Sequence, residues 1–258
     1  MKNQTITEIG NARVLDKNAP FAIREAFNML RTNLMYTITE TQEGCPIYAI
    51  TSTSENAGKS TVIANLALSF TNLSKKVLLI DGDMRCPSLF RFFDLDTRHA
   101  GLSELISGIE TDVMVKDIRP GLDIITSGRI PPNPSELITS PRFIELLEQW
   151  KKEYDIIFID FPPIGIVADS ITVSKNITGY IFTVRAGKSS VKAVNAAIAS
   201  MEQIGAKIVG VVLNDYNIKG SKQYRYNHSR YFKPTMSKYE ASAIEQSAES
   251  NQKVSDRK

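Results

Sequence analysis

Cysteine and histidine are scarce in this chain. Its 258 residues include two cysteines, Cys45 and Cys86, and two isolated histidines, His99 and His228. Two cysteines cannot form the disulfide framework of a small secreted domain, so we expect a protein of the reducing cytoplasm. None of these four residues stands at the spacing of a structural zinc site, so we expect no such site.

Long apolar segments are also missing. The longest hydrophobic runs are about half a dozen residues, far short of the roughly 20 that a helix needs to cross a bilayer. The first residues, Met1 to Thr5, lead into no apolar segment of the kind found in secretory signals. We therefore expect any membrane role to depend on a partner or on the protein surface.

A strong charge imbalance is absent as well. The net charge of +3 is too small to indicate nucleic-acid binding by itself. A composition of 42% hydrophobic and 23% charged residues fits one globular domain with a sizeable core. The functional prediction must therefore come from motifs.

A P-loop is the first of these motifs. Residues 47–61 predict a buried strand, a tight loop and a helix that begins at Gly58-Lys59-Ser60. Backbone N–H groups at such a helix N-terminus bind phosphate oxygens, Lys59 would contact the outer phosphates, and the Ser60 hydroxyl would bind Mg²⁺. Thr53 replaces the usual first glycine, so the prediction depends on the strand before the loop and the helix after it. The residues assigned to the nucleotide are Thr53, Ser54, Glu55, Asn56, Ala57, Gly58, Lys59, Ser60 and Thr61.

Acidic residues follow two other apolar runs. Asp81 and Asp83 come directly after the run Val77–Ile80, and Asp160 ends the run that begins at Tyr154. Ligands of open α/β sheets bind at the carboxyl ends of strands, so all three carboxylates should face the phosphates. Asp160 fits a Walker B carboxylate, which holds Mg²⁺ directly or through water. An isolated Asp-x-Asp is also common in turns, and this alternative remains for Asp81 and Asp83.

The remaining pattern predicts an α/β protein with a mostly parallel sheet and helices on both faces. With the P-loop, this arrangement resembles the P-loop NTPase (Min/Par-like) fold. We expect only helices and loops over residues 84–120. The other predicted elements are a helix from Pro20 to Ile38, a strand at Leu122–Thr126, a helix from Pro134 to Trp150 capped by Asn133 and Glu136, strands at Gly179–Val184 and Lys207–Leu213, and a helix at Ser190–Ile204.

Asn214 closes the last predicted strand. In an ATPase of this architecture it would hydrogen-bond the nucleotide base, whereas as a turn residue it needs no such role. The residues alone leave both interpretations open.

The composition changes after Asn214. Basic residues alternate with tyrosines and few aliphatic residues follow, so we predict a disordered tail. The tail could bind single-stranded nucleic acid, be a solvated basic segment, or carry tyrosines that are substrates. The predicted organisation is an arm at 1–18, a P-loop domain at 19–215 and a tail at 216–258. The tail tyrosines are Tyr216, Tyr224, Tyr226, Tyr231 and Tyr239.

Over about residues 18–240 the chain resembles the bacterial tyrosine kinases of capsule and exopolysaccharide systems, in the form found as a separate cytoplasmic chain in Gram-positive bacteria. The resemblance depends on the Walker A′ element Asp81-x-Asp83-x-Arg85, on the Walker B form Asp160-x-Pro162-Pro163, on the run from Pro131 to Leu137, and on the tyrosine-bearing tail.

This resemblance implies MgATP-dependent autophosphorylation in trans, with Lys59, Asp81, Asp83 and Arg85 as catalytic residues. It implies that Asp81 is the base, and that Asp83 and Asp160, with Ser60, bind Mg²⁺. The implied acceptors are Tyr224, Tyr226, Tyr231 and Tyr239.

The implied partners are other copies of the chain in a ring-like homo-oligomer, a membrane adaptor of the polysaccharide co-polymerase type and a cognate tyrosine phosphatase, but no nucleic acid. The protein would then be cytoplasmic, at the inner face of the membrane through the adaptor. Its phosphorylation cycle would regulate polysaccharide polymerisation and export.

Three positions depart from the family pattern. The subunit-contact motif Glu-x2-Arg-x2-Arg has Asn28 in place of its first arginine, so a contact that stabilises the ring is expected to be lost. Asn56 stands where a glycine is usual, although asparagine tolerates positive φ better than most residues. Cys86 replaces a common lysine, which removes a cation near the phosphates.

Two other functions remain open. Min/Par-type partition ATPases share the predicted fold, but their signature lysine, five places before the P-loop lysine, is Ser54 here. A nucleotide-dependent regulator without kinase activity would bind ATP and the adaptor and act as an assembly switch.

Overall fold

The strands lie in one sheet. The computed structural model describes residues 14–15, 19–38, 44–96, 100–164 and 173–216. Its strands are β1 (Ile47–Ser52), β2 (Val77–Asp81), β3 (Met114–Arg119), β4 (Leu122–Ile125), β5 (Ile156–Asp160), β6 (Gly179–Arg185) and β7 (Ile208–Asn214). They form a seven-stranded sheet in the order β3-β4-β2-β5-β1-β6-β7. Every neighbouring pair is parallel except β3 and β4.

Helices cover both faces of this sheet. They are α1 (Phe21–Thr37), α2 (Lys59–Thr71), α3 (Leu102–Ile106), α4 (Pro134–Ile138), α5 (Pro141–Trp150) and α6 (Val191–Gln203). Alternate residues of β2 contribute to two different apolar clusters, Leu78 and Ile80 to one and Val77 and Leu79 to the other. The helix α2 packs in the second cluster and α5 in the first, which confirms the predicted α/β layering.

The central strands are buried on both faces. Every residue of β1, β2 and β5 is buried, as expected for strands that are apolar without alternation up to their polar last residues. Because all three are parallel, their carboxyl ends meet at one edge of the sheet. The P-loop follows β1 at this edge, and the acidic residues of β2 and β5 lie beside it.

The prediction of only helices and loops over residues 84–120 is wrong in its last part, where Met114–Arg119 form β3. Among the described strands it lies at the edge of the sheet and pairs only with β4, and its register shifts between Val115 and Arg119. Asp117 lies within the irregularity at φ 49°. The bulge breaks the two-residue alternation that would identify a strand in the sequence.

The predicted single helix from Pro134 to Trp150 is also wrong, because α4 and α5 are separate helices. Pro141 has no N–H to donate to the Leu137 carbonyl, and the Ser140 hydroxyl makes that bond instead at 2.7 Å. The same hydroxyl caps α5 by accepting from the Phe143 N–H at 3.3 Å. A proline and a capping serine therefore end one helix and begin the next.

The helix α4 begins at the predicted residues, but the hydrogen bond at its N-terminus is not the predicted capping bond. Asn133 is the N-cap and Pro134 the first helical residue, but the Asn133 side chain makes no bond to the backbone of the helix. Its amide nitrogen instead donates to the Glu136 carboxylate at 2.6 Å.

The predicted helix after Pro20 is confirmed as α1. Its Arg31 donates a hydrogen bond to the Ser69 carbonyl of α2, and Asn28 donates to Glu25 within the helix at 2.9 Å. Val14, in the predicted N-terminal arm, is 8% exposed and belongs to the cluster that contains α2. Among the described residues, no helix combines the length and apolar character that crossing a membrane requires.

Phe158 is the aromatic centre of the α2 face. It is fully buried in β5, with its ring 5.5 Å from that of Phe70 and 6.3 Å from that of Tyr48. We expect Phe158→Ala to lower the free energy of unfolding by about 3–5 kcal/mol in urea denaturation, because it removes these contacts and leaves a cavity. The control Ile109→Ala, at a side chain 77% exposed, should change it by less than about 0.5 kcal/mol. Equal losses in the two variants would contradict this assignment of the core.

Candidate functional site

The P-loop reverses the chain between β1 and α2. Gly58, at the N-cap of α2, has φ 92°, and Asn56 has φ 57°. A Cβ at Gly58 would lie 1.9 Å from the amide nitrogen of Asn214, so position 58 accepts only glycine without rearrangement. Asn56 takes the left-handed conformation that asparagine adopts at modest cost, and the loop closes without a glycine there.

The carboxyl ends of β6 and β7 hold this loop. Arg185 donates to the Asn56 carbonyl at 3.0 Å, and the Asn214 amide donates to the Ala57 carbonyl at 2.9 Å. Arg185 and Asn214 are register partners in the sheet, so one strand pair supplies both donors. Sequence reasoning missed Arg185, whose only signal was its place at the end of an apolar strand.

The mouth of the loop is open to solvent. Ser54 and Glu55 are exposed and Thr53 is partly exposed, whereas Lys59 is 8% exposed. The Ser52 hydroxyl donates to the Ser54 carbonyl at 2.7 Å and secures the first turn. The loop thus has a fixed base and an accessible rim. The first turn of α2 continues it with Thr61, which is partly exposed.

Three carboxylates come together beside the loop. Asp81 and Asp160 end β2 and β5 and are register partners, and Asp83 follows two residues after Asp81. Their side chains are almost inaccessible, with residue exposures of 0% for Asp81, 6% for Asp83 and 1% for Asp160. The structure therefore brings together the acidic residues that the strand ends predicted.

Asp160 and Ser60 are in direct contact. The Ser60 hydroxyl donates to Oδ2 of Asp160, and the Ser88 hydroxyl donates to Oγ of Ser60 at 2.6 Å. Within the described part of the chain, the buried Oδ1 of Asp160 has no hydrogen-bond partner. Burying a carboxylate oxygen without a hydrogen bond costs free energy, so binding of a cation or a cation-bound water at this oxygen would be favourable.

Backbone N–H groups surround the other two carboxylates. Asp81 accepts from the N–H groups of Ser88 and Leu89, both at 3.1 Å, and from that of Asp83 at 3.2 Å. Asp83 accepts from the N–H groups of Arg85 at 3.3 Å and Cys86 at 3.0 Å. The segment after β2 therefore folds around its own acidic residues.

Burial, together with the neighbouring negative charges, raises the pKa values of two of these carboxyl groups. Burial, followed by the charge of Asp160, raises the pKa of Asp81 well above its usual value, against the hydrogen bonds from Leu89 and Ser88. Burial raises the pKa of Asp160 to about 6, although Lys59 and the Ser60 hydroxyl oppose the shift. Without a cation, the site therefore retains protons that an exposed carboxylate would release.

The donor set fits Mg²⁺. Among the residues described, no group of three or more His, Cys, Asp or Glu side chains is placed to hold a metal ion by itself. Magnesium uses few protein ligands and keeps several waters, so Ser60, one or two carboxylates and phosphate oxygens suffice. The residues that would hold it are Ser60, Asp83 and Asp160.

Arg85 links the site to the proline-rich segment, residues 131–137. Its guanidinium donates to the Ser135 hydroxyl of α4 at 3.1 Å, and both Arg85 and the neighbouring Cys86 are exposed. The proline-rich segment thus has a structural connection to Walker A′ that its spacing did not indicate. The predicted acceptors from Tyr224 to Tyr239 lie outside the described residues.

The buried carboxylates predict a pH dependence of stability in the protein without nucleotide or metal. Asp160 has a folded pKa of about 6 against an ordinary value of 3.8. A raised folded-state pKa stabilises the fold fully below the unfolded value, and this contribution is lost as the pH rises through the folded value. We therefore expect Asp160→Asn to gain stability relative to the wild type as the pH rises from about 5 to about 7.5.

Urea denaturation of both proteins in EDTA measures the difference between their free energies of unfolding at each pH. The contributions of groups that titrate alike in the two proteins cancel in this difference. Adding Mg²⁺ with ADP should then stabilise the wild type more than Asp160→Asn, because only the wild type offers the carboxylate. A stability difference that stays constant between the two pH values would contradict the raised pKa.

Comparisons with known proteins agree with this geometry. A family model described as "ParA: NUBPL iron-transfer P-loop NTPase" matches residues 46–247, more than half of the chain. The tyrosine-protein kinase CpsD of Streptococcus agalactiae serotype III (strain NEM316) is 36% identical over 195 residues, which are 75% of this chain and 82% of that protein.

Two solved structures are similar in fold and sequence. The chimerical protein CapA2B2 has a TM-score of 0.72 and 36% identity, covering 78% of this chain and 88% of that one. The kinase domain of the Escherichia coli tyrosine kinase ETK has a TM-score of 0.70 and 33% identity, covering 78% and 81%. The chain therefore belongs to the bacterial tyrosine-protein kinases, a family with the ParA-type P-loop NTPase fold.

Proposed function

We propose that this tyrosine kinase transfers the γ-phosphoryl group of ATP to tyrosines in the C-terminal segment of a neighbouring copy of itself. The observation that carries the proposal is the meeting of a closed P-loop with three buried carboxylates, Asp81, Asp83 and Asp160, at one edge of the sheet. Phosphoryl transfer depends mainly on positioning and charge neutralisation, and these elements supply both.

The nucleotide's place follows from the loop. Backbone N–H groups at the start of α2 would bind phosphate oxygens, and Lys59 would contact the outer phosphates. Mg²⁺, when bound, would neutralise phosphate charge, with Ser60, Asp83 and Asp160 as its protein partners. Asn214 holds the Ala57 carbonyl and would also lie near the base.

Asp81 is the proposed proton acceptor. A raised pKa makes a carboxylate a stronger base, and the pKa of Asp81 is raised. Mg²⁺, when bound, would favour the ionised form of Asp81 that can accept a proton. The acceptor phenol oxygen would form a bond to the γ-phosphorus as the bond to the ADP oxygen breaks. Asp81 would take the phenol proton, and Arg85 would stabilise charge on the transferring group.

The acceptors are proposed to be Tyr224, Tyr226, Tyr231 and Tyr239. Three tyrosines of the folded domain, Tyr48, Tyr154 and Tyr180, are buried and cannot serve. The exposed tyrosines that the structure describes are Tyr36, at 83%, and Tyr216, at 52%. Burial within the domain thus favours acceptors in the C-terminal segment.

Regulation of capsular or exopolysaccharide polymerisation and export is the proposed cellular role. A membrane adaptor of the co-polymerase type would hold the kinase at the inner face of the membrane, and a tyrosine phosphatase would reverse the modification. The helix α1 supports a homo-oligomer, because its exposed Ile23, Met29 and Tyr36 offer apolar surface to a second copy.

The two alternatives predict different chemistry. A nucleotide-dependent regulator would bind ATP through the same loop and transfer no phosphate, and a partition ATPase would hydrolyse ATP to free phosphate. The kinase proposal requires phosphotyrosine, which separates it from both.

Lys59→Met tests the kinase proposal. We expect phosphate incorporation in the purified protein with MgATP to fall by roughly 100-fold or more, because the lysine's charge on the transferring group is lost. Mass spectrometry, with and without a peptide from a candidate adaptor's cytoplasmic end, measures the phosphotyrosine. The control Lys116→Met, on exposed β3 at the far edge of the sheet, should keep full incorporation.

A variant with phenylalanine at the four proposed acceptors tests whether these tyrosines carry the phosphate. It should lose most incorporation and keep nucleotide binding. Phosphotyrosine retained in Lys59→Met would overturn the site, and unchanged incorporation in the four-phenylalanine variant would move the acceptor elsewhere. ATP binding without phosphotyrosine in the wild type under both conditions would favour the regulator.

Asp81→Asn separates binding from transfer. Asparagine keeps an oxygen that can accept from the Ser88 and Leu89 N–H groups, but it cannot take the phenol proton. We expect transfer to fall by roughly 100-fold or more while ADP affinity is retained. Loss of ADP binding would instead assign Asp81 to the nucleotide site.

A further inference from the structure

Ser88 lies between two groups of the site without belonging to any of its motifs. Its backbone N–H donates to Oδ2 of Asp81 at 3.1 Å, and its hydroxyl donates to Oγ of Ser60 at 2.6 Å. One residue thus contacts both the proposed base and the proposed metal-binding hydroxyl. Both Ser60 and Ser88 are partly buried, so solvent competes weakly for these bonds.

The hydrogen bonds at Ser60 determine which lone pair of its hydroxyl oxygen remains available to a metal ion. A serine hydroxyl has one proton to donate and two lone pairs that accept. Ser60 donates its proton to Asp160 and accepts from Ser88, so one lone pair is left. That lone pair is the group a hydroxyl offers to Mg²⁺, and the two bonds together fix its direction.

The backbone around Ser88 is anchored by buried neighbours. Leu89 and Phe92 of the 3-10 helix that follows are 0% and 4% exposed, and both pack in the cluster that contains α2. Pro87 precedes Ser88 and restricts the chain on the other side. The backbone of Ser88 is therefore held beside Ser60 by core packing and by the Asp81 carboxylate, which accepts from the N–H groups of Ser88 and Leu89.

We propose that Ser88 is a positioning residue for Mg²⁺: its hydroxyl orients that of Ser60 so that one lone pair of Ser60 is left for the metal while the Ser60 proton stays directed at Asp160. The inference depends on the proposed function, since it assumes a MgATP site. Ser88 acts on the metal only through Ser60. Its loss should therefore weaken binding of the metal and leave metal-free binding of the nucleotide unchanged.

Titration of Mg²⁺ into the full-length protein bound to a fluorescent ADP analogue tests this role. We expect Ser88→Ala to weaken Mg²⁺ binding by about 10-fold, the usual lower limit for losing an outer contact of a metal ligand. The affinity for the ADP analogue in EDTA should not change, because alanine keeps the N–H that Asp81 binds. Ser88→Thr, which restores a hydroxyl, should recover most of the Mg²⁺ affinity.

Ser107→Ala is the matched control, because Ser107 is an exposed serine at the C-cap of α3. It should keep wild-type affinity for both metal and nucleotide. Wild-type Mg²⁺ affinity in Ser88→Ala would overturn the inference. An equal loss of nucleotide affinity in EDTA would also overturn it, since Ser88 would then only support the fold.

The kinase proposal can fail independently of this result. A wild type that binds Mg²⁺ and nucleotide but forms no phosphotyrosine would leave the Ser88 inference standing and remove the proposed reaction. A wild type whose ADP affinity is the same with and without Mg²⁺ would remove the metal site and the Ser88 inference together.

Discussion

The burial of three carboxylates beside a phosphate-binding loop is the constraint on which the site depends. Asp81, Asp83 and Asp160 are at most 6% exposed, and removing charged groups from water is costly unless they are paired. Lys59 and backbone N–H groups offset part of this cost, but Oδ1 of Asp160 lacks a partner among the described residues. A site with this deficit of positive charge fits the cation that we propose to bind together with the nucleotide.

The sheet and the segment that follows β2 meet this constraint together. Parallel strands put Asp81 and Asp160 opposite each other, and residues 82–89 return over them so that backbone N–H groups point inward. The same return places Ser88 against Ser60. One short segment therefore stabilises the acidic residues and orients the hydroxyl proposed to bind the metal.

The departures from the family pattern have different structural consequences. Asn56 takes positive φ without glycine, and its carbonyl is held by Arg185, so the loop closes despite the substitution. Asn28 bonds to Glu25 within α1, and Arg31 is engaged with Ser69, so these side chains already have partners inside the subunit. Cys86 is exposed beside Arg85 and contributes its N–H to Asp83, as any residue except proline would.

The sequence by itself determined the layered sheet, the P-loop and the acidic strand ends, because apolar runs and residues at their ends are local patterns. It did not determine β3, whose bulge removes the alternation of a strand, or the break before Pro141, where Ser140 replaces the missing donor. Only the tertiary structure decided that Arg185 holds the P-loop and that Ser88 contacts Ser60. Those contacts join residues 129 and 28 positions apart, and their distances depend on how strands and loops pack rather than on spacing along the chain.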